Sequence, residues 1–192
     1  MLRSSLALLL LAFSASASAQ QNDHDFDYNF FQLDYSNVEL DDTSVDGDGF
    51  GLSGSYAINS NWHVFGSYQD LGLDFGADAT LLAAGVGYNT EISPVVDGFA
   101  RLSYQDFDLD APGPGGFDDD GLGFGVGLRF AATPLDELSA AIDYVDYGSS
   151  DDTRFSIDAR HSFTDSFSLG LAGSWGDNAT IYTLGGRLYF GK

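Results

Sequence analysis

The apolar residues of this chain fall at every second position instead of in continuous runs, and that spacing limits the possible folds more than any other feature. Residues 180–190 show it most plainly. Tyr182, Leu184, Leu188 and Phe190 share one parity, while Thr183, Gly185, Arg187 and Tyr189 share the other. Successive side chains of a strand point to opposite faces. A strand with an arginine on one face and large apolar groups on the other therefore lies between two different media. Nine earlier stretches repeat the pattern, and each strand needs a paired neighbour on both edges.

The ten segments are 28–38, 49–58, 62–72, 79–90, 95–108, 121–131, 137–148, 153–163, 166–176 and 180–190. Their lengths suit tilted membrane strands of about 9–11 residues. The connections 59–61, 91–94, 132–136 and 164–165 read as short turns. Those at 39–48, 74–78 and 109–120 are longer and rich in Asp and Gly, whereas 148–152 and 177–179 are short again. Short turns on the periplasmic side and longer loops outside are the usual asymmetry of bacterial barrels. Backbone groups in lipid must all be paired, so the ribbon must close on itself. The expected fold is all-β, an antiparallel up-and-down transmembrane β-barrel of ten strands, with eight as the alternative if two segments merge or detach.

A soluble β-sandwich or lipocalin-like barrel would show the same alternation with the apolar parity buried. Three features favour a membrane. Aromatic residues gather at both strand ends: Tyr35, Phe50, Tyr68, Tyr104, Tyr144, Trp175 and Tyr182 at one, Trp62, Tyr88, Phe130, Phe163, Phe167 and Phe190 at the other. Amphipathic rings prefer the bilayer interface. The arginines collect on the polar parity. The chain also opens with a secretion signal: Arg3, an apolar core over 6–13, and the cleavage site Ala17-Ser18-Ala19. The expected organisation is a signal peptide at 1–19, with cleavage before Gln20, and a barrel domain at 20–192. The polar stretch 20–27 reads as a flexible periplasmic leader.

Composition narrows the function. With 192 residues the chain suits one domain, and no apolar run reaches the roughly 18 residues of a membrane helix. It has no cysteine, so thiolate metal sites and disulfides are excluded. A net charge of −22 argues against nucleic acid as a partner.

Three groups of residues could carry a role. Arg101, Arg129, Arg154, Arg160 and Arg187 fall on the inward parity, with Asp34, Asp97, Asp143 and Asp158 as available partners. They read either as a structural charge network filling a narrow lumen or as the lining of a water-filled path. Thr183, Gly185, Leu188 and Phe190 resemble the C-terminal signal read by the outer-membrane barrel assembly machinery, although Gly191 and Lys192 follow where that signal usually ends the chain. Acidic residues crowd the outer rim, among them Glu39, Asp41, Asp42, Asp46, Asp48, Asp106, Asp108, Asp118, Asp119, Asp120, Asp151 and Asp152. Carboxylates suit Ca²⁺ and Mg²⁺, but Asp46-Gly-Asp48-Gly lacks the later Glu of an EF-hand loop. Only weak, shared cation binding is expected, with no dedicated metal and no cofactor. Catalysis is not expected. His24 lies in the leader, His63 faces the lumen, and His161 and Ser162 point to opposite faces of one strand.

In breadth the chain resembles the small OmpA/OmpX-like barrels. More closely it is similar to a family of small secreted or outer-membrane proteins of plant-associated proteobacteria known as sulfation-dependent quorum factors. That resemblance rests on Gly49-Phe50-Gly51-Leu52-Ser53-Gly54-Ser55, Asn61-Trp62-His63-Val64-Phe65-Gly66-Ser67-Tyr68 and Gly85-Val86-Gly87-Tyr88-Asn89. It implies a diffuse outer-membrane role, and no catalytic residue carries over. The expected function is structural or surface-interacting: a scaffold with a plugged or very narrow lumen and acidic outer loops, in contact with membrane lipid and lipopolysaccharide. The alternative is a narrow channel for small solutes.

Overall fold

The computed structural model describes residues 26–40, 45–112, 116–148 and 150–191. The signal peptide, the leader residues 20–25 with His24, the rim residues Asp41 and Asp42, and Lys192 lie outside the described residues. Ten strands follow in order: β1 (Phe30–Leu40), β2 (Asp46–Ala57), β3 (Trp62–Leu73), β4 (Ala77–Ser93), β5 (Val96–Asp110), β6 (Phe117–Ala131), β7 (Asp136–Asp146), β8 (Asp151–Thr164), β9 (Phe167–Trp175) and β10 (Ala179–Tyr189). Each pairs antiparallel with its chain neighbours, and β1 closes on β10, so the fold is a closed up-and-down barrel of ten strands, not eight. The closing ladder is continuous from Phe30 opposite Tyr189 to Leu40 opposite Ala179.

The apolar parity faces outward. Phe31, Leu52, Leu102, Leu122, Leu171 and Leu188 are each more than half exposed, as side chains meant for hydrocarbon must be. Aromatic contacts on the outer surface tie neighbouring strands at both ends: Tyr35 with Phe50, and Trp62 with Tyr88. The 3₁₀ turn Asp74–Gly76 joins β3 to β4.

Most strand boundaries differ from the expected ones at the outer end, where β7 and β9 are shorter and the others longer. β2, β4, β5, β6 and β8 run further toward the outer end, so the anticipated loop over 109–120 shrinks to 111–116. The Asp- and Gly-rich composition there signals contact with water, not absence of strand. Asp106 pairs opposite Asp120 and Asp108 opposite Asp118 within an unbroken ladder. The asymmetry between the two ends of the barrel lies as much in projecting strands as in long loops.

At that outer end the inward parity turns apolar. Val38, Leu71 and Ala79 are each only 3 % exposed. Leu40, Leu73, Leu81, Phe107, Leu109, Ala179 and Ile181 pack against them. These side chains come from β10, β1, β3, β4 and β5. They meet over β2, where Gly47 leaves room for the Leu73 side chain.

Candidate functional site

The charged residues singled out above lie on the inward faces of β1, β5, β6, β7, β8 and β10, and the ladder decides which of them meet. Arg101 on β5 is opposite Gly125 on β6, and Gly125 is opposite Asp143 on β7. The glycine leaves the strand between them bare. Arg101 therefore reaches across it and grips Asp143 with two hydrogen bonds, Nε to Oδ1 at 2.8 Å and the terminal nitrogen to Oδ2 at 2.6 Å. A Cβ at position 125 would collide with both partners. On β8 and β9 the same device recurs: Arg160 is opposite Gly170 and lies over it, 3.2 Å from Asp158. His63 likewise covers Gly87. At these three places a glycine on the neighbouring strand makes room for an arginine or imidazole against the wall.

Two arginines take partners that were not expected. Arg129 bonds both oxygens of Glu137, at 2.7 and 2.9 Å, and the pair is almost fully buried. Glu137 opens the segment 137–148 and shares parity with Ser139 and Asp143, which is the available signal, but the inward set above does not include it. Arg154 pairs at 2.7 Å with Asp152, which had been assigned to the rim. Asp34 and Asp97, expected to face arginines, do not pair with them. Asp34 accepts from the Gln32 amide at 2.8 Å. Asp97 accepts from the Tyr28 hydroxyl at 2.8 Å, and its other oxygen is buried without a hydrogen bond. Arg187 donates to Gln32 at 2.7 Å and rests 3.9 Å from the centre of the Phe30 ring.

Residues just before β1 enter this network. Tyr28, placed in the first strand by its alternation, instead turns into the inner mouth and stacks on His63 at 4.4 Å. Phe26 and Asp27, read as flexible leader, lie against Arg129. The Phe26 ring centre is 5.0 Å from the guanidinium, and the Asp27 carbonyl accepts from it at 3.4 Å. A polar stretch gives no periodic signal for such contacts.

Two cavities flank this cluster. One, of about 470 Å³, fills the middle of the barrel and is lined by Gln32, Ser67, Gln105, Ser139, Arg154 and Arg187 among others. The second, of about 630 Å³, opens among the inner turns beside Asn59, Pro134, Leu135 and Asp165. Tyr28, Arg129 and Glu137 border both.

The remaining candidates are placed as follows. Thr183 shares a hydrogen bond of 2.9 Å with Ser36 across the closing ladder. Gly185 lies opposite Asp34 and Gly170, Leu188 points outward, and Phe190 stacks on Phe31 at 5.0 Å. Among the described residues no group of His, Asp or Glu side chains is arranged to hold a metal ion. His63 Nδ1 meets the Asn89 side chain at 3.3 Å, and His161 Nδ1 meets Asp136 at 2.7 Å. Neither contact is with a nucleophile, so neither supplies the base–nucleophile pair that hydrolysis needs.

Comparison with known proteins gives one family. The profile described as "Outer membrane protein beta-barrel domain" matches residues 5–172. No curated protein matches. Among solved structures, KdgM porin in complex with disordered oligogalacturonate is 10 % identical, with a TM-score of 0.49 over 83 % of this chain and 99 % of that one. Neisserial surface protein A is 18 % identical, with a TM-score of 0.45 over 85 % and 98 %. Ail of Yersinia pestis is also 18 % identical, with a TM-score of 0.40 over 85 % and 99 %. Likeness at this level says nothing of ligand or activity.

Removing one member of a buried ion pair strands the other charge, at a cost of about 3–5 kcal/mol. Glu137→Gln is therefore expected to destabilise the folded barrel far more than Asp152→Asn, whose arginine partner is one-third exposed. Denaturant titration of the two variants in the same vesicles checks the order. Equal midpoints would remove the assignment of Arg129–Glu137 as the main internal tie.

Proposed function

The chain belongs to the outer membrane protein β-barrel family, and from that premise we propose that it is a sealed surface scaffold of the outer membrane. In this reading it is neither a pore nor an enzyme. The observation that carries the reading is the apolar cluster around Val38, Leu71 and Ala79 at the outer end of the lumen. A conducting mouth needs polar side chains or water along its axis, and an apolar constriction gates by excluding water. Below the cluster, four of the five inward arginines are neutralised by carboxylates within the wall. A narrow channel is the second reading. The central cavity of about 470 Å³ is the feature in its favour.

The surface role rests on the projecting strands. Carboxylates stand directly opposite one another on their outer faces, Asp106 against Asp120, Asp108 against Asp118 and Asp146 against Asp151. Like charges so placed are destabilising. Shared Ca²⁺ or Mg²⁺ ions would relieve the repulsion and bridge the rim to phosphates of neighbouring lipopolysaccharide. Thr183, Gly185, Leu188 and Phe190 would be read by the barrel assembly machinery after the signal peptide is removed before Gln20. Kinship with the sulfation-dependent quorum factors belongs to the same proposal and brings no signalling role with it.

Three measurements test these parts. In planar bilayers the wild-type protein should show no steady conductance, and small, stable openings would favour the channel reading. Calorimetric titration of the folded protein with Ca²⁺ should give weak, multi-site heats that high salt suppresses, whereas a flat trace removes the cation bridge. In fractionated cells the membrane form should begin at Gln20 and shift on a gel when boiled. Phe190→Ser should deplete that form, and its normal assembly would count against the signal.

A further inference from the structure

We propose that residues 26–29 form a stopper in the inner mouth of the barrel, closing the central chamber from the periplasm and able to swing clear of it. The segment is tied to the barrel wall at Asn29. Asn29 accepts from the Ala57 backbone through its side chain at 2.9 Å, and its carbonyl accepts from Phe190 at 3.1 Å. The Asp27 carboxylate accepts from the Asn29 amide at 2.7 Å, which bends the chain inward over the mouth.

From that bend two rings reach into the barrel. Tyr28 lies on His63 with an interplanar angle of 23°, and its hydroxyl donates to Asp97 on the opposite wall. The Arg129 guanidinium lies within 5.0 Å of the Phe26 ring and 4.6 Å of the Tyr28 ring. A cation over two aromatic faces in a site shielded from water is a favourable contact. Tyr28 thus links β3, β5 and β6, spanning the gap between the two cavities whose walls it shares.

Residues 26–29 belong to no strand. Movement of 26–28 about Asn29 unpairs no rung of the barrel, whose closing ladder begins at Phe30. Arg129 keeps its partner Glu137 when these residues leave, whereas the buried Asp97 loses the Tyr28 hydrogen bond, which favours the closed position. This separates the stopper from the wall and makes the chamber a vestibule that opens toward the periplasm. The inference rests on the outer mouth being closed, and the test keeps the two claims apart.

The chain has no cysteine, so one introduced thiol reports on the chamber. Ser67 lines the chamber in the middle of β3 and is exposed to it. In the full-length folded protein, Ser67→Cys should react slowly with a charged, membrane-impermeant methanethiosulfonate reagent. Adding Phe26→Ala and Tyr28→Ala should speed the reaction about tenfold or more, because labelling follows the open fraction. Tyr28→Phe, which keeps the stack and loses the Asp97 bond, should fall between. It also carries the test if the double variant loses the gel shift of a folded barrel. Equal rates with and without the two rings, in protein that shows no conductance, would overturn the stopper. Conductance in the wild type would instead overturn the sealed outer mouth.

Discussion

Every feature of this protein depends on the backbone ladder between β1 and β10. Hydrocarbon offers no water to an unpaired N–H or C=O, and each such group costs several kcal/mol there. Ten strands with two free edges could not remain in a membrane. Closure in register, with Phe30 opposite Tyr189, removes both edges at once. It also sets the direction of every side chain, because a slip of one residue would turn the arginines outward and the leucines inward.

Given closure, the interior must also hold its charges. The solution is laid out along rows of paired residues. One row runs from His63 through Gly87, Arg101, Gly125 and Asp143 to Arg154. Large polar groups share this row with glycines: His63 covers Gly87, and Arg101 lies across the bare strand at Gly125 to reach Asp143 beyond it. Glycine weakens an isolated strand. Here neighbouring strands hold the backbone on both sides, and the missing side chains are filled by arginine, imidazole and carboxylate. The chemistry of the lumen changes along the axis: aromatic and charged at the inner mouth, polar in the middle, and apolar outside around Val38 and Leu71.

The fold and the facing of most residues were legible because a period of two is a local property. The parity of Leu184 and Arg187 can be read without knowing any neighbour. What could not be read is which polar groups meet. Arg101 and Asp143 are 42 residues apart and join only because two registers place Gly125 between them. Glu137 opens its strand on the inward parity, but only the register of β6 against β7 brings it to Arg129. Asp152 escaped notice because the strand runs further out than its Asp-rich sequence suggests. Tyr28 escaped because it leaves the strand pattern just where the chain bends into the mouth.

The amino-acid sequence alone thus determined the strands, their two unlike faces and the need for closure, since alternation, strand length and the demand for backbone pairing are enough to require them. The tertiary structure alone decided that the outer mouth is lined by apolar side chains from β10, β1 and β3 to β5, and that the inner one holds Tyr28. Those contacts join residues far apart in the chain, and only the stagger of the closed barrel brings them to the same height.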